Sequence, residues 1–279
     1  MAVIEQTSSS PRLKAVWRAR WSGAPWTGAV LPAAMLIAWS ALSTTGVFPA
    51  QVAPSPVAVA REIWKLGASG QIFNHIWITT WRVALGFLVG ALAATALGAL
   101  TGYSRRARGY LDPTIQALKA VPSLAWVPLF ILWFGIFEVS KILLIAVGVF
   151  FPVYLNLMEG VQTVDRKLVE VGKVNNLSSF DLVWRILAPA TLPSYFTGLR
   201  AGLALGWMFV IAAELMGANR GLGFLMTDGE MTGRPSIIIG ALILFAIAGK
   251  VTDAILVAVS RRLLYWRDDL ASLQRKETT

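Results

Sequence analysis

The chain has 279 residues, 56% of them hydrophobic and only 14% charged, against roughly 25% charged in an average soluble domain, so it does not read as a water-soluble globule. Its net charge of +10 does not point to nucleic acid, because the Lys and Arg residues fall in short clusters between long apolar runs instead of along one solvated face. With no cysteine and a single histidine, His75, thiolate metal sites, disulfides and cysteine nucleophiles are excluded, and little remains for zinc or triad chemistry.

A bilayer core of about 30 Å needs about 20 apolar residues of helix, and six runs approach that length, which predicts an all-α, polytopic integral membrane protein. Residues 1–26 form a basic N-terminal segment, and 27–260 form the transmembrane domain. The first span, Thr27 to Thr45, is longer than a signal-peptide core. The best small-residue cleavage site after it, near Ala50 to Ala53, is followed by more membrane segments, so this span is read as retained. Pro49, Pro54 and Pro56 then break the chain before VAVAREIWKL, where Arg61, Glu62 and Lys65 share one face of a short helix suited to the membrane interface.

The segment NHIWITTWR, with His75 and Arg82, leads into the second span, Val83 to Tyr103. That span carries Gly86, Gly90, Ala94, Gly98 and Gly102 at intervals of four. Residues so spaced stack on one helix face, and side chains this small let helices approach closely in lipid. The third span, Ala120 to Phe137, contains Pro122 and Pro128, and the fourth, Ile142 to Met158, contains Pro152. Proline removes a backbone hydrogen bond, so these helices are expected to bend or break, either as gates or as fixed kinks.

A long polar connection at about 160–194 follows. Asp165 can cap RKLVEVGKV, Asn175 and Asn176 can form a turn, a second helix can begin at Ser178 or Ser179, and Pro189 and Pro193 are expected to stop it. The fifth span, Tyr195 to Ala218, repeats the small-residue stripe at Ser194, Gly198, Gly202 and Gly206, and carries Trp207 and Glu214. In the sixth, Pro235 to Val259, Lys250 and Asp253 are three apart and are expected to pair with each other. The run AIAGKVTD lacks the residues of a phosphate-binding loop, since Val251 stands where Ser or Thr is required.

Basic residues sort the loops. Sixteen lie in the two termini, around Arg105 to Arg108, and in the long connection, whereas four (Arg61, Lys65, Arg220 and Arg234) lie on the opposite set. Lys and Arg are held on the cytoplasmic side, so both termini, the 160–194 connection and the 261–279 tail are expected there. Arg82 and Arg200, near span ends, are expected to meet lipid headgroups more readily than an anion. Trp77, Trp81, Trp133 and Trp266 read as interfacial anchors, and Trp126, Trp207 and Glu214 as candidates for a pathway.

Glu170, Val171, Gly172, Asn176 and Pro189 resemble the EAA loop of the membrane subunits of ATP-binding-cassette importers. Val171 and Gly172 replace the paired alanines, and Asn176 stands where the family usually has Gly, a substitution that keeps a left-handed turn accessible. From about Pro54 to about Asp268, runs such as PSLAWVPLFILWFG and SKILLIAVGVFFPVYLN look like the nitrate, taurine and aliphatic sulfonate branch, nearest to the sulfonate and taurine members.

The resemblance implies the type I importer permease fold in a bacterial inner membrane and a coupling role for Glu170 to Pro189. The implied partners are a second copy of the chain, two ATPase subunits that bind ATP and Mg, a periplasmic or lipid-anchored substrate-binding protein, and membrane lipids, but no nucleic acid. No cofactor and no catalytic site are expected in this chain. An ATP-independent secondary transporter or channel is the alternative; it calls for inverted repeats and intramembrane charge relays.

Overall fold

The computed structural model describes residues 27–45, 49 and 52–266, and every regular element among them is helical. The chain divides into residues 1–56 and 57–279. In the first unit, α1 (Thr27–Thr44) is apolar, and the indole N–H of Trp39 donates to the Pro54 carbonyl at 3.1 Å.

The second unit begins in α2 (Pro56–Ala68), where Glu62 accepts from Lys65 (2.9 Å) and from Arg234 (2.6 Å). Then come α3 (Gln71–Tyr103), α4 (Arg105–Ala120), α5 (Trp126–Phe134), α6 (Glu138–Gln162), α7 (Arg166–Val174), α8 (Ser179–Leu182), α9 (Ala188–Leu215), α10 (Leu222–Met231) and α11 (Pro235–Leu263). Among the described residues four helices are long and apolar enough to cross a membrane, namely α3, α6, the α8–α9 rod and α11. The bent pair α4 and 123–134 makes a fifth.

Helix α6 is the central element, with α3 along one side and α9 along another. Its Ile145, Val149, Val153 and Tyr154 have no exposed surface. Both small-residue stripes lie against it. A Cβ on Gly86 would come within 2.5 Å of Ile145, and one on Gly90 would overlap the Ala146 carbonyl oxygen. On the α9 side, a Cβ on Gly198 would meet Asn156 at 2.8 Å and one on Gly202 would meet Val153 at 3.0 Å. Gly98, Gly102 and Gly206 likewise face Tyr154, Val161 and Val149. Without side chains at these positions the three backbones pack almost in contact, which supplies dispersion where lipid offers no hydrophobic drive.

Several expectations are corrected. The third span is not one helix: α4 and the 123–134 segment meet at 83°, with the break at Val121 and Pro122. Proline disfavours helical geometry in the residue before it, and Val121 is extended (ψ 123°). Pro128 breaks nothing, because it lies in the first turn of α5, where the N–H it lacks would have no helical partner. Pro152 likewise sits inside an unbroken α6. Helix α3 starts at Gln71, twelve residues before the apolar run, because His75, Thr79 and Arg82 are buried and paired. Pro189 and Pro193 do not stop the helix that begins at Ser179, which runs on as 37 residues to Leu215. A π turn, Val183–Leu187, in which the Ala188 N–H donates to the Val183 carbonyl, widens the backbone just before Pro189 and accommodates its ring.

Candidate functional site

The connection between α6 and α9 is a capped helical hairpin. The Asp165 side chain accepts from the Lys167 N–H at 2.9 Å to start α7, and Ser178 accepts from the Asp181 N–H at 3.1 Å to start α8. Helix α7 ends in a Schellman motif. Asn176 has φ 53°, its N–H donates to the Lys173 carbonyl at 3.0 Å, and the Leu177 N–H donates to the Gly172 carbonyl at 3.1 Å. Gly172 is buried where the two arms cross, and a Cβ there would meet Ile186 at 2.6 Å and Leu182 at 2.8 Å. A glycine in the middle of a short helix is thus explained by the closeness of the arms.

The outer surface of this hairpin is apolar where a solvated loop would be polar. Leu168, Val171, Val174, Phe180 and Trp184 are exposed, Val174 at 81% and Phe180 at 70%, beside the exposed Glu170. Phe180 and Trp184 touch, with ring centroids 6.1 Å apart. Large apolar side chains left exposed on a rigid scaffold mark a binding surface. The resemblance at Glu170 does not extend to these exposed residues, although the spacing of Leu168, Val171 and Val174 signals one helix face. Pro189 sits at the base of the second arm, just beyond the π turn.

At the same end of the molecule α3 finishes and α4 begins. Arg108 donates to the Thr101 carbonyl at 3.2 Å and the Gly102 carbonyl at 3.3 Å, where a cation suits the carbonyl end of a helix. Tyr103, Val161 and Trp184 line one groove of about 440 Å³ there.

The opposite end holds a buried polar knot. Glu214, 1% exposed, accepts from Thr79 Oγ1 at 2.8 Å, from Arg82 Nη1 at 2.7 Å and from the Gly223 N–H at 2.7 Å. Arg82 donates with its other nitrogens to both oxygens of Glu138 at 2.7 Å and also reaches the Arg220 carbonyl. Thr79 accepts from the Leu222 N–H, and His75 Nδ1 accepts from the Gly221 N–H at 3.0 Å. Together these bonds staple the 216–222 turn to α3. Arg82 is therefore buried in protein and is not a headgroup contact, and His75 acts as an acceptor for backbone. Nothing in the sequence singles out Glu138, which opens a helix beside a charge of opposite sign, Lys141, an ordinary surface pattern.

Of the other candidates, Trp126 stacks on Phe130, and its indole N–H is buried without a partner among the described residues. Trp207 donates to Thr252 Oγ1 at 2.9 Å and stands edge-on to Phe245. Asp253 pairs with Arg200, at 2.9 and 3.1 Å, and not with Lys250. The guanidinium fork matches both carboxylate oxygens across α9 and α11, geometry that a lysine one turn away on the same helix does not offer.

Residues 86–265 match the family described as binding-protein-dependent transport system inner membrane component. The aliphatic sulfonates transport permease protein SsuC of Bacillus subtilis (strain 168) is 42% identical over 241 residues, covering 86% of this chain and 87% of that protein. The taurine transport system permease protein TauC of Escherichia coli (strain K12) is 31% identical over 243 residues, covering 85% and 88%. In fold, the chain is similar to a solved structure of the MetNI methionine ABC transporter in inward facing conformations, with TM-score 0.62 and 16% identity over 71% of this chain and 98% of that one. With a family match from the middle of α3 to the end of α11 and this similarity over most of the length of known permeases, the chain belongs to the binding-protein-dependent inner membrane components, the multi-pass permease subunits of ABC importers.

Proposed function

We propose that this permease, paired with a second copy, forms the import pathway for aliphatic sulfonates or taurine, and that its α7–α8 hairpin is the docking element for a separate ATPase. The reading takes the six predicted spans as the membrane domain, 27–260. Helix α1 is the first span, the bent 105–134 segment the third, and 1–26, the hairpin and 261–279 are cytoplasmic. The basic residues of the α3–α4 corner and the hairpin, which share one end of the molecule, support that orientation.

The observation that carries the docking role is the rigid hairpin on which Val174, Phe180, Trp184 and Glu170 are all exposed. Capping at Asp165 and Ser178 and the buried Gly172 hold the two arms as one body, so a partner gripping the exposed face moves both. The ATPase binds ATP and Mg, and hydrolysis is not performed by this chain. Two ATPase subunits and an external substrate-binding protein complete the assembly, with alternating access driven through Glu170, Val171, Gly172, Asn176 and Pro189. Substrates follow from the names of the relatives, whose compounds share a sulfonate group. Trp126 and Trp207 are the aromatic candidates for the pathway wall, while Glu214 is enclosed by Thr79, Arg82 and Gly223 and would reach the pathway only if that knot opened.

The test is co-purification. The tagged chain, expressed with its genomic neighbours and extracted in mild detergent, is expected to bring an ATPase down, and Glu170→Lys is expected to lose it at unchanged membrane yield. Full retention of the ATPase by Glu170→Lys would remove the hairpin from the coupling role.

A further inference from the structure

Three charged residues stand within the membrane-spanning helices on a face left open among the described residues. Lys250 is near the centre of α11, a 29-residue helix, and Arg200 lies in α9, five residues inside the fifth span as predicted from Tyr195. At about 1.5 Å per residue, Lys250 is roughly 20 Å along the axis from either end of α11, so its stem of about 6 Å does not reach an interface. Arg200 and Asp253 hold each other while their side chains stay 50% and 27% exposed. Lys250 makes no hydrogen bond or salt bridge among the described residues. Charges left on lipid at this depth are costly, so the face they occupy meets water or protein in the working assembly.

These residues share a groove of about 510 Å³ between α9 and α11. Its remaining wall is apolar, including Leu203, Met208, Ile211 and Ala246, and Trp207 is fixed in it by the bond to Thr252. Two cations and one carboxylate leave one positive charge, placed at the border of an apolar trough. That arrangement is complementary to an amphiphilic anion: a compact head carrying one negative charge beside Lys250 and Arg200, and a short alkyl tail along Met208 and Ala246. Asp253 keeps Arg200 extended across the groove, so the head meets a pre-oriented guanidinium edge instead of a free chain.

We infer that this groove is the intramembrane substrate site of the importer, with Lys250 as the charge that selects anions, Arg200 as its partner and Asp253 as the positioning residue. The inference rests on the importer reading above and deepens it. The groove faces a water-filled pathway, because in a dry interface Lys250 would be desolvated with only Asp253 nearby, a carboxylate already held by Arg200.

The chain has no cysteine, so a single introduced thiol reports its own surroundings. In liposomes holding the complete complex, Ala246→Cys and Met208→Cys are labelled with the anionic sulfonatoethyl methanethiosulfonate and its cationic trimethylammonioethyl counterpart, each rate normalised to a free thiol in solution. The anionic reagent is expected to win by about tenfold, as one uncompensated charge in a narrow cleft provides. Butanesulfonate should slow it, Lys250→Gln should abolish the preference, and Lys250→Arg should restore it. Failure of both reagents at both positions would place the face on lipid or on the second copy and overturn the site. So would a preference that ignores Lys250. ATPase retention by the same variants separates the two readings: an intact complex without labelling refutes only the groove, whereas a wild-type chain that never captures the ATPase refutes the importer mechanism.

Discussion

Replacing Gly90 by alanine adds one methyl group where α3 and α6 are closest, and the structure sets what that methyl meets. Its Cβ would overlap the backbone carbonyl oxygen of Ala146 and stand 3.0 Å from Val149, and a backbone carbonyl does not swing aside as a side chain does. The two helices must part by about 1 Å. A gap of that size forfeits a quarter to a half of each well of about 0.1–0.2 kcal/mol, so some 30 atom pairs lose roughly 1–2 kcal/mol, within the range of about 1–3 for overpacked cores. Against that, alanine gains about 0.5–1 kcal/mol over glycine in a helix interior. Gly109, with nothing within 4 Å of its Cβ, receives only that gain, and Gly206, whose nearest neighbour is a Val149 methyl at 3.3 Å, falls between. The expected order of stability is Gly109→Ala, wild type or Gly206→Ala, then Gly90→Ala, with about 1–2 kcal/mol separating the extremes. Equilibrium unfolding in mixed detergent and dodecyl sulfate micelles reads the order directly. Equal shifts for Gly90→Ala and Gly109→Ala would mean that the stripe does not control the spacing of α3 and α6.

The polar knot and the hairpin turn supply two more tests. Arg82→Met strands the buried Glu214 carboxylate and is expected to cost about 3–5 kcal/mol, part of which the double change with Glu214→Leu recovers; strictly additive losses in the same unfolding assay would contradict a direct pairing. Asn176→Val forces a β-branched residue into a left-handed turn and is expected to cost the hairpin about 1–2 kcal/mol, while Asn176→Gly is neutral or better. Limited proteolysis between Arg166 and Arg185 compares them, and indistinguishable cleavage of the two variants would rule out a left-handed requirement at that residue.

The sequence carries the helix faces more openly than the helix ends. Intervals of four at Gly86 to Gly102 and Ser194 to Gly206 are visible without coordinates because close packing in lipid tolerates few residue types, and both stripes lie on α6. The Asp165 and Ser178 caps and the turn at Asn176 are equally visible, since capping is local chemistry. What hydropathy hides is any polar group whose partner is distant in the chain. His75, Thr79 and Arg82 looked like the outside of a membrane helix, yet they continue α3 because Glu214 and the 221–223 backbone satisfy them. Lys250 and Asp253 invited a local pairing for the same reason, and the fork of Arg200, 53 residues away, prevails. Prolines mislead when judged alone: Pro128 and Pro189 are accommodated by a first turn and by a π turn, whereas Pro122 breaks the chain.

The 37-residue rod from Ser179 to Leu215 joins Phe180 at one extremity to the Gly198 and Gly202 contact and then to Glu214. It is a single shaft, about 55 Å long, pressed against α6 at a bare patch of backbone that can serve as a fulcrum. Phe180 lies about 33 Å from Gly202 along that shaft, so a swing of about 5° displaces the hairpin tip by roughly 3 Å while the fulcrum barely shifts. The arm beyond Gly202 is shorter, near 18 Å to Glu214, and moves the opposite way by about half as much. A push on the hairpin would thus arrive at the far end reversed in direction and reduced in amplitude, passing through the π turn at Val183–Leu187 on its way to the fulcrum.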